Sequence, residues 1–425
     1  MVPRELLWQV LLPDKHIQPE SDFFLLGGNS TLLVRLQGAI RTSVGVSLTL
    51  REMYGASTLA QMALKVDARK AESPSMTINW LAETAIPQTV RDRARSTSNI
   101  KLAKHCQGSG CQILLTGSIS FLGRVLVQVL LQVPEVERVH CIAVEKEQEH
   151  VFPTSDKVSL YYGSLLDPNL GLSTAEWASL QDRIDVVIHN GSNGHCLNPY
   201  NSLKGPNLGS THRLAKFALQ SQAHLHYISS GRVILQSGQT ALGPTSVSFH
   251  PPPLDGSDGL TATKWASEVF LERLAEHTGI SISIHRPCTP IGDQAPAQDA
   301  LNSLLRYSVN LGATPRLTRI PGLSEGRDHC GGDRNTSDIQ IHQAFEYIIV
   351  YNVRRFLFHH SSNVRVPVKS FKEYMEKVHG RPFQELSLQE WSSLALEQGI
   401  EPQIPSFLEA VDDNEETLRY PYLSN

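Results

Sequence analysis

A chain of 425 residues with 40% hydrophobic and 19% charged side chains has apolar material for roughly two to three domains, and it falls in neither the disordered nor the membrane class. Its formal charge of -4 speaks against nucleic acid or any other polyanion as partner. The first twenty residues, MVPRELLWQVLLPDKHIQPE, have no signal-peptide pattern and no apolar stretch is long enough to span a bilayer, so a cytoplasmic location without a membrane partner is expected. Cys106, Cys111, Cys141, Cys196, Cys288 and Cys330 lack CxxC pairs and metal-ligand spacing. Buried free thiols are expected, with neither a disulfide framework nor a metal site.

In chain order, short helices are expected over Glu5–Leu12, Ser30–Arg41 and Thr58–Val66, the second with Leu32, Leu33, Leu36 and Ile40 at helical spacing. They make a small bundle, residues 1–66. Residues 67–110 read as a linker with a basic run, RDRAR, and a motif, TINWLAET, suited to packing on the second domain. From Cys111 apolar strands (CQILLTG, VHCIAV, IDVVIHNGS, LHYISSG, ISIHRP) alternate with helices such as Leu122–Gln132. That alternation predicts an α/β fold with a doubly wound parallel sheet over residues 111–425. Beyond residue 300, SFKEYMEKVHG and LQEWSSLALEQG are amphipathic helical patterns around a strand-like VRVPV, read as a smaller substrate subdomain at 300–425. Gly205-Pro206 is expected to interrupt a helix.

The stretch DFFLLGGNSTLLVRL places Ser30 at the start of an amphipathic helix, after glycines able to form a tight turn. A helix N-terminus favours a phosphate there, although a serine so placed is by itself most often a plain N-cap. Asp22, Phe24, Leu26, Gly27, Gly28 and Ser30 together resemble the D-x-F-x-L-G-G-x-S signature of the carrier domains of nonribosomal peptide and polyketide synthases. The resemblance implies 4′-phosphopantetheine on Ser30 and a docking face near Leu32, Leu33 and Met53.

The turn TGSISFLG has Gly117 and Gly123 at glycine positions of a dinucleotide-binding turn, with Ser120 between them. With IDVVIHNGS, NLGST, YISSG, GLTATKWASE, IHRPCTPIG, LLRYSVNLGATP and YPYL, it resembles the thioester reductase domains of synthetases, in the extended short-chain dehydrogenase/reductase family. Those enzymes use NADPH with a Ser/Thr, a Tyr and a Lys in Y-x-x-x-K, where lysine lowers the phenol pKa and the phenol donates a proton as hydride arrives. Here the motif reads Leu260 to Lys264, with lysine kept and the phenol gone; the hydroxyl falls on Ser230, with Ser229 beside it. Glu145 stands where a basic residue pairs the 2′-phosphate, Gly163-Ser164-Leu165 replaces the usual G-D-L, and Ser120 adds a side chain at the pyrophosphate. NADP(H) binding is expected to be lost.

The missing tyrosine is shared with redox-silent relatives in fungal polyketide–peptide hybrid synthetases that perform Dieckmann cyclisation. The resemblance implies release of a β-ketoacyl-aminoacyl thioester as a tetramic acid. Ser230 and Lys264 are suitable oxyanion donors, and Asp255 and Asp258 in PPPLDGSDGL, immediately before the altered tyrosine position, are the candidate bases. His189, His195 and His226 are alternative bases. Two other readings stay open: NADPH-dependent reductive release to an aldehyde or alcohol, and an inactive carrier–reductase remnant. The segment Ser324 to Asp338, polar and glycine-rich, departs from the family's apolar substrate segment. Expected partners are a phosphopantetheinyl transferase and upstream condensation, adenylation and ketosynthase modules, because no such module lies in these residues to load Ser30.

Overall fold

The computed structural model describes residues 4–90 and 110–287 with short gaps, 299–317, 357–360 and 368–401, and a few positions beyond. They form two compact units: Met1–Thr77, Ile291–Asp328 and Arg365–Thr417 in the first, and Ile78–Pro290, His329–Val364 and Leu418–Asn425 in the second.

The chain opens with helices α1 (Arg4–Leu11), α2 (Ser30–Val44), α3 (Leu50–Tyr54) and α4 (Leu59–Glu72). Leu33, Leu36 and Ile40 share one face of α2 and meet Trp8, Phe23, Met53 and Met62 in a common core. The Trp8 and Phe23 rings pack edge to face at 5.1 Å. Asp22 pins the loop before α2: its carboxylate accepts from Phe24 N (2.9 Å), Leu25 N (3.1 Å) and Ser57 Oγ (2.5 Å). The Ser57 hydroxyl and these amides hold its pKa below the usual value. Leu33 and Met53 are fully buried core residues, so a docking face near them is made by neighbouring side chains; Leu25, 88% exposed, and Tyr54, on which Phe24 stacks at 5.1 Å, are among the apolar groups offered to solvent.

A short helix, α5 (Trp80–Glu83), opens the second unit, followed by β1 (Cys111–Thr116), α6 (Phe121–Gln132), β2 (Val136–Val144), β3 (Val158–Tyr162), α7 (Thr174–Arg183), β4 (Val186–His189), α8 (Tyr200–Leu203), α9 (Ser210–Ser221), β5 (His224–Ile228), β6 (Ala241–Leu242), α10 (Gly259–Thr278) and β7 (Ile282–Pro287). α11 (Ala300–Leu311) and β8 (Ala313–Pro315) belong to the first unit, and β9 (Leu357–His360) returns to the second. α12 (Phe371–His379), β10 (Gln384–Leu386) and α13 (Leu388–Glu397) resume the first, and β11 (Tyr422–Leu423) ends in the second. Residues 300–425 are thus divided between the two units. β9 joins the sheet edge and β11 pairs with β6, whereas α11, α12 and α13 share a core of Leu304, Phe371, Met375 and Trp391. Of VRVPV only Val368 is described, in a 3-10 turn; RDRAR and Ser324 to Asp338 lie outside the described residues.

The sheet is parallel throughout, in the order β3-β2-β1-β4-β5-β7-β9. Both faces are covered, so β1 reads as a continuous apolar run: Leu114 faces a core with Val187, Leu225, Phe217 and Phe270, and Ile113 and Leu115 face Leu126, Leu130 and Ile188. The order reverses between β1 and β4, which is where such folds bind ligands. Pro206 does not break the helical run. A π-helical turn, Gly205–Gly209, carries α8 into α9, with Gly209 N bonded to Lys204 O at 2.9 Å. The residues assigned to a linker are partly built in, since Ile86 and Val90 join the second unit's core. Cys141 is a buried free thiol, raised to about 12 by burial; Cys111, expected to be free, is disulfide-bonded. Among the described residues no helix is long and apolar enough to cross a membrane and no His, Cys, Asp and Glu group could hold a metal ion.

Across β5, β7 and β9 three imidazoles form a hydrogen-bonded row, His226 to His285 at 3.0 Å and His285 to His360 at 2.9 Å. A neutral middle ring can donate on one nitrogen and accept on the other, and burial of the row favours the neutral form. Burial holds His226 and His285 well below the ordinary histidine value and His360 at about 4. A base whose folded pKa is depressed takes up protons in the unfolded chain first, so stability is complete above the unfolded value and falls as pH drops through it. The melting temperature is expected to decline from about pH 6.5 toward about pH 4. Thermal melts across that range check it, and a constant midpoint would contradict it.

Candidate active site

Three strand ends build the site: Gly117 after β1, Asn190 and Gly191 after β4, and Ser229 and Ser230 after β5. At the first, the backbone is packed too closely for a side chain. A Cβ on Gly117, whose φ is +68°, would lie 2.5 Å from Gly191 Cα, and one on Gly123 would lie 1.9 Å from Gly117 O. Thr116 Oγ1 accepts from Gly191 N (3.0 Å) and shares a 2.8 Å hydrogen bond with His189 Nδ1, fixing the two turns together.

The turn between β1 and α6 satisfies itself. Ser120 caps α6: its hydroxyl accepts from Gly123 N (3.0 Å) and Asn190 Nδ2 (3.0 Å) and donates to Gly117 O (2.8 Å). A helix N-terminus holds a pyrophosphate by its free N–H groups, and here one of them is consumed by a side chain on the ligand's approach. At the end of β2, a bulge with Ala143 at φ +55° precedes Glu145, which is exposed and accepts from Gln148 Nε2 at 2.9 Å. A 2′-phosphate bound at the position the family uses would meet like charge there. Gly163 donates its N–H to Val144 O (3.1 Å), and Ser164 N is taken by Asp167 Oδ2 (2.8 Å), so no free carboxylate stands at the G-D-L position. The residues do not fit NADPH, and no step of the chemistry is drawn through it.

Around the end of β5 the predicted residues come together. Lys264, one turn into α10, is buried and donates from Nζ to Ile228 O at 2.7 Å, with the Tyr227 ring 5.0 Å beneath it. Burial lowers its pKa to about 8, partly opposed by Glu268. Ser230 Oγ accepts from Arg232 N (3.2 Å), and Arg232 Nη2 reaches Asp258 Oδ2 (3.0 Å). Asp258 is the N-cap of α10, accepting from Thr261 N (3.1 Å) on Oδ1 and from Thr261 Oγ1 (2.7 Å) on Oδ2; its side chain is 39% exposed. Leu260 is half-buried where the family has its phenol. Tyr200 does not replace that phenol, because its hydroxyl is bonded to Glu83 Oε2 at 2.7 Å. The buried Ser229 hydroxyl has no hydrogen-bond partner among the described residues.

Asp255 and His195 lie outside the described residues. The other candidate histidines are core residues and not bases: His189 is buried among Thr116, Thr211 and Ser210, its pKa pushed to about 3 by burial, and His226 belongs to the imidazole row. Sequence reasoning missed Asn207. From the π-helical turn it accepts from Asn193 N (2.7 Å) and donates to Asn193 O (3.2 Å) and Thr263 Oγ1 (3.0 Å), tying the loop after β4 to α10. A buried asparagine in NLGST, beside a proline that forces a helical irregularity, was the available signal.

A parallel sheet with its reversal at β1 and β4, and a serine and lysine at the end of β5, defines an extended short-chain dehydrogenase/reductase fold. Residues 4–66 match the model for a phosphopantetheine attachment site, and residues 115–323 the model described as male sterility protein, an NAD-binding family. The chain thus joins a phosphopantetheine carrier region to an NAD-binding, reductase-like region, and its relatives are fungal hybrid polyketide–nonribosomal peptide synthetases. It is 85% identical, over 99% of its length, to a cyclo-acetoacetyl-L-tryptophan synthase of Aspergillus oryzae, and 44% identical, over 98%, to a hybrid PKS-NRPS synthetase of Emericella nidulans; it spans 11% of each. In fold it is similar to the terminal R domain of the myxalamid PKS-NRPS pathway (TM-score 0.58, 20% identity, 80% of this chain and 87% of that one). It is also similar to an archaeal thiolation-reductase di-domain (TM-score 0.53, 14% identity, 97% and 89%).

A fluorescence titration with NADPH is expected to show no saturable binding to the native chain. Replacing Ser120→Gly and Glu145→Arg together is expected to raise affinity at least about tenfold, by freeing a phosphate donor and reversing the charge at the 2′-phosphate.

Proposed function

We propose that this chain releases a carrier-bound β-ketoacyl-aminoacyl thioester by redox-neutral Dieckmann cyclisation to a tetramic acid, with Ser30 as the attachment point for 4′-phosphopantetheine. The observation that carries the reading is a reductase-like scaffold in which Arg232 links Ser230 to Asp258 and Lys264 is anchored on the Ile228 carbonyl at the end of β5, while Leu260 replaces the phenol and Ser120 and Glu145 stand where the family contacts the nucleotide. The name of the 85% identical relative supports it and points to an acetoacetyl-tryptophanyl cargo. Ser30 begins α2, where first-turn N–H groups favour an anionic phosphodiester. When attached, the arm supplies an activated acyl group with a thiolate leaving group. A phosphopantetheinyl transferase and upstream condensation, adenylation and ketosynthase modules are the partners this requires.

Ring closure needs a base, two oriented carbonyl centres and donors for the charge that develops on oxygen. Asp258 takes the proton from the cargo carbon flanked by two carbonyls. Ser230 Oγ and Lys264 Nζ donate to the enolate oxygen and to the oxyanion as that carbon attacks the thioester carbonyl. The carbon–carbon bond closes a five-membered ring, the carbon–sulfur bond breaks, and the proton held by Asp258 returns to the thiolate. No electrons are transferred to or from a cofactor, in keeping with the absent phenol.

The decisive test loads the protein with a synthetic β-ketoacyl-aminoacyl pantetheine and analyses products by mass, with and without NADPH. Tetramate in both is expected; alcohol or aldehyde formed only with NADPH would instead establish reductive release, and untouched thioester a remnant. Asp258→Asn keeps an oxygen able to cap α10 and is expected to lower ring closure about 10²-fold or more with the melting temperature unchanged. Lys264 loses its proton above about pH 8, so the rate is expected to fall on the alkaline side with that inflection, and Lys264→Arg to move the fall to higher pH; a rate rising through pH 8 would make Lys264 a base.

A further inference from the structure

The groups that shape the site are not confined to the nucleotide-binding fold. Trp80, thirty-one positions before β1, donates its indole N–H to Pro253 O at 2.9 Å. Its ring stands edge to face on Tyr200 (5.0 Å, 71°) and on Trp265 (5.4 Å, 69°), the residue after Lys264. The turn running from Pro253 to α10 is held on both sides. A Cβ on Gly256, whose φ is +67°, would lie 2.4 Å from Ile78 Cδ1 and 2.8 Å from Tyr200 Cβ; the Gly256 carbonyl accepts from Tyr200 N at 2.8 Å. A Cβ on Gly259 would lie 2.4 Å from Asn198 O. Only glycine lets the turn pass between the 78–80 segment and α8.

The far end of the segment is fastened as firmly. Glu83 accepts from Tyr200 Oη (2.7 Å) and Lys204 Nζ (2.6 Å), Thr84 Oγ1 accepts from Arg273 Nη1 of α10 (2.5 Å), and Ile86 and Val90 are core residues. We propose that Ile78–Val90 is a positioning strap of the release domain, in which Trp80 fixes the turn that delivers Asp258 to the start of α10 and, through Trp265, the helical register that aims Lys264 at the end of β5. The strap rests on the proposed ring closure for its consequence, and on contacts alone for its existence. Trp80 touches neither Ser230 nor Lys264 in any hydrogen bond, so it is a positioning residue.

The test uses the full chain with Trp80→Phe, which keeps a ring and removes the N–H, and Trp80→Ala, which removes both. Amide hydrogen exchange is read across residues 253–264, and ring closure is assayed with the synthetic β-ketoacyl-aminoacyl pantetheine. Trp80→Phe is expected to speed exchange in the turn about tenfold while the β1 and β4 amides stay protected, and to lower kcat about tenfold with KM and melting temperature unchanged. Exchange in the turn that matches wild type, or a lowered melting temperature with kcat intact, overturns the proposal even where Trp80→Ala fails to fold. A wild-type chain that closes no ring removes the reaction proposed above, and the exchange result still decides the strap.

Discussion

Everything around the end of β5 is organised by one ion pair that has no access to water. Glu268 and Arg286 both have fully buried side chains; Arg286 donates from Nε to both carboxylate oxygens at 3.1 Å and from Nη2 to Oε2 at 2.6 Å, and its remaining Nη1 serves Thr245 O (2.8 Å) and His359 Nε2 (3.2 Å). Desolvating two charges costs several kcal/mol each, a cost offset only where every donor and lone pair is met. Here all three guanidinium nitrogens and both carboxylate oxygens are engaged, which ties α10 to β7. The helix buries 15 of its 20 residues, so that tie holds Lys264 as well. Lys264 sits one turn before Glu268 and feels its field, but the carboxylate is already engaged by Arg286. Burial therefore prevails and brings the ammonium to about 8. A lysine so poised is charged at neutral pH yet desolvated enough to act as a strong hydrogen-bond donor.

The same scaffold explains why a loss of reduction and the proposed release are separable. Hydride transfer needs a nucleotide and a proton donor, which occupy the β1 and β2 ends and the Leu260 position. Ring closure needs neither. A positioned proton donor contributes about 10²–10⁴-fold in rate, so the change to Leu260 alone would disable a reductase. Ser120 acts more quietly: by capping α6 it stabilises the fold, an N-cap being worth about 1 kcal/mol, while it removes a donor from the phosphate. Stability of the turn and affinity for the nucleotide are thus opposed at this one position.

Much of this was legible in the chain. Strand positions from Cys111 to Pro287 follow from apolar runs bounded by turn residues, and the carrier helices from the spacing of Leu33, Leu36 and Ile40. Sequence failed where a local pattern met a tertiary partner. Pro206 reads as a breaker because its missing N–H is visible in sequence while the π-helical bond from Gly209 to Lys204 is not. Strand β9 and the β11 to β6 pairing join residues too far apart in the chain for periodicity to report. Trp80, Asn207 and Arg232 shape the site through such long-range bonds and left no motif. Asp258 was singled out for its nearness to the altered tyrosine, and its capping role comes from the S/T/D/N helix-start preference that sequence reasoning had applied only to Ser30.

Asp258 also shows what kind of catalyst such a site can be. A carboxylate held by Thr261 and Arg232 at a helix N-terminus is fixed in place. In the proposed reaction the enolate must also be stabilised as it forms, a task that falls to the donors. Ser230, bonded to Arg232 N, and Lys264, bonded to Ile228 O, are both anchored at the β5 end, and the proposed reaction asks them to meet oxygen while Asp258 meets carbon. Preorganised donors need no reorganisation as charge develops, which is the benefit of mounting them on a strand end and a buried helix. A site built this way gains rate from rigidity in α10 and in the turn before it, and the inherited reductase fold already supplied both.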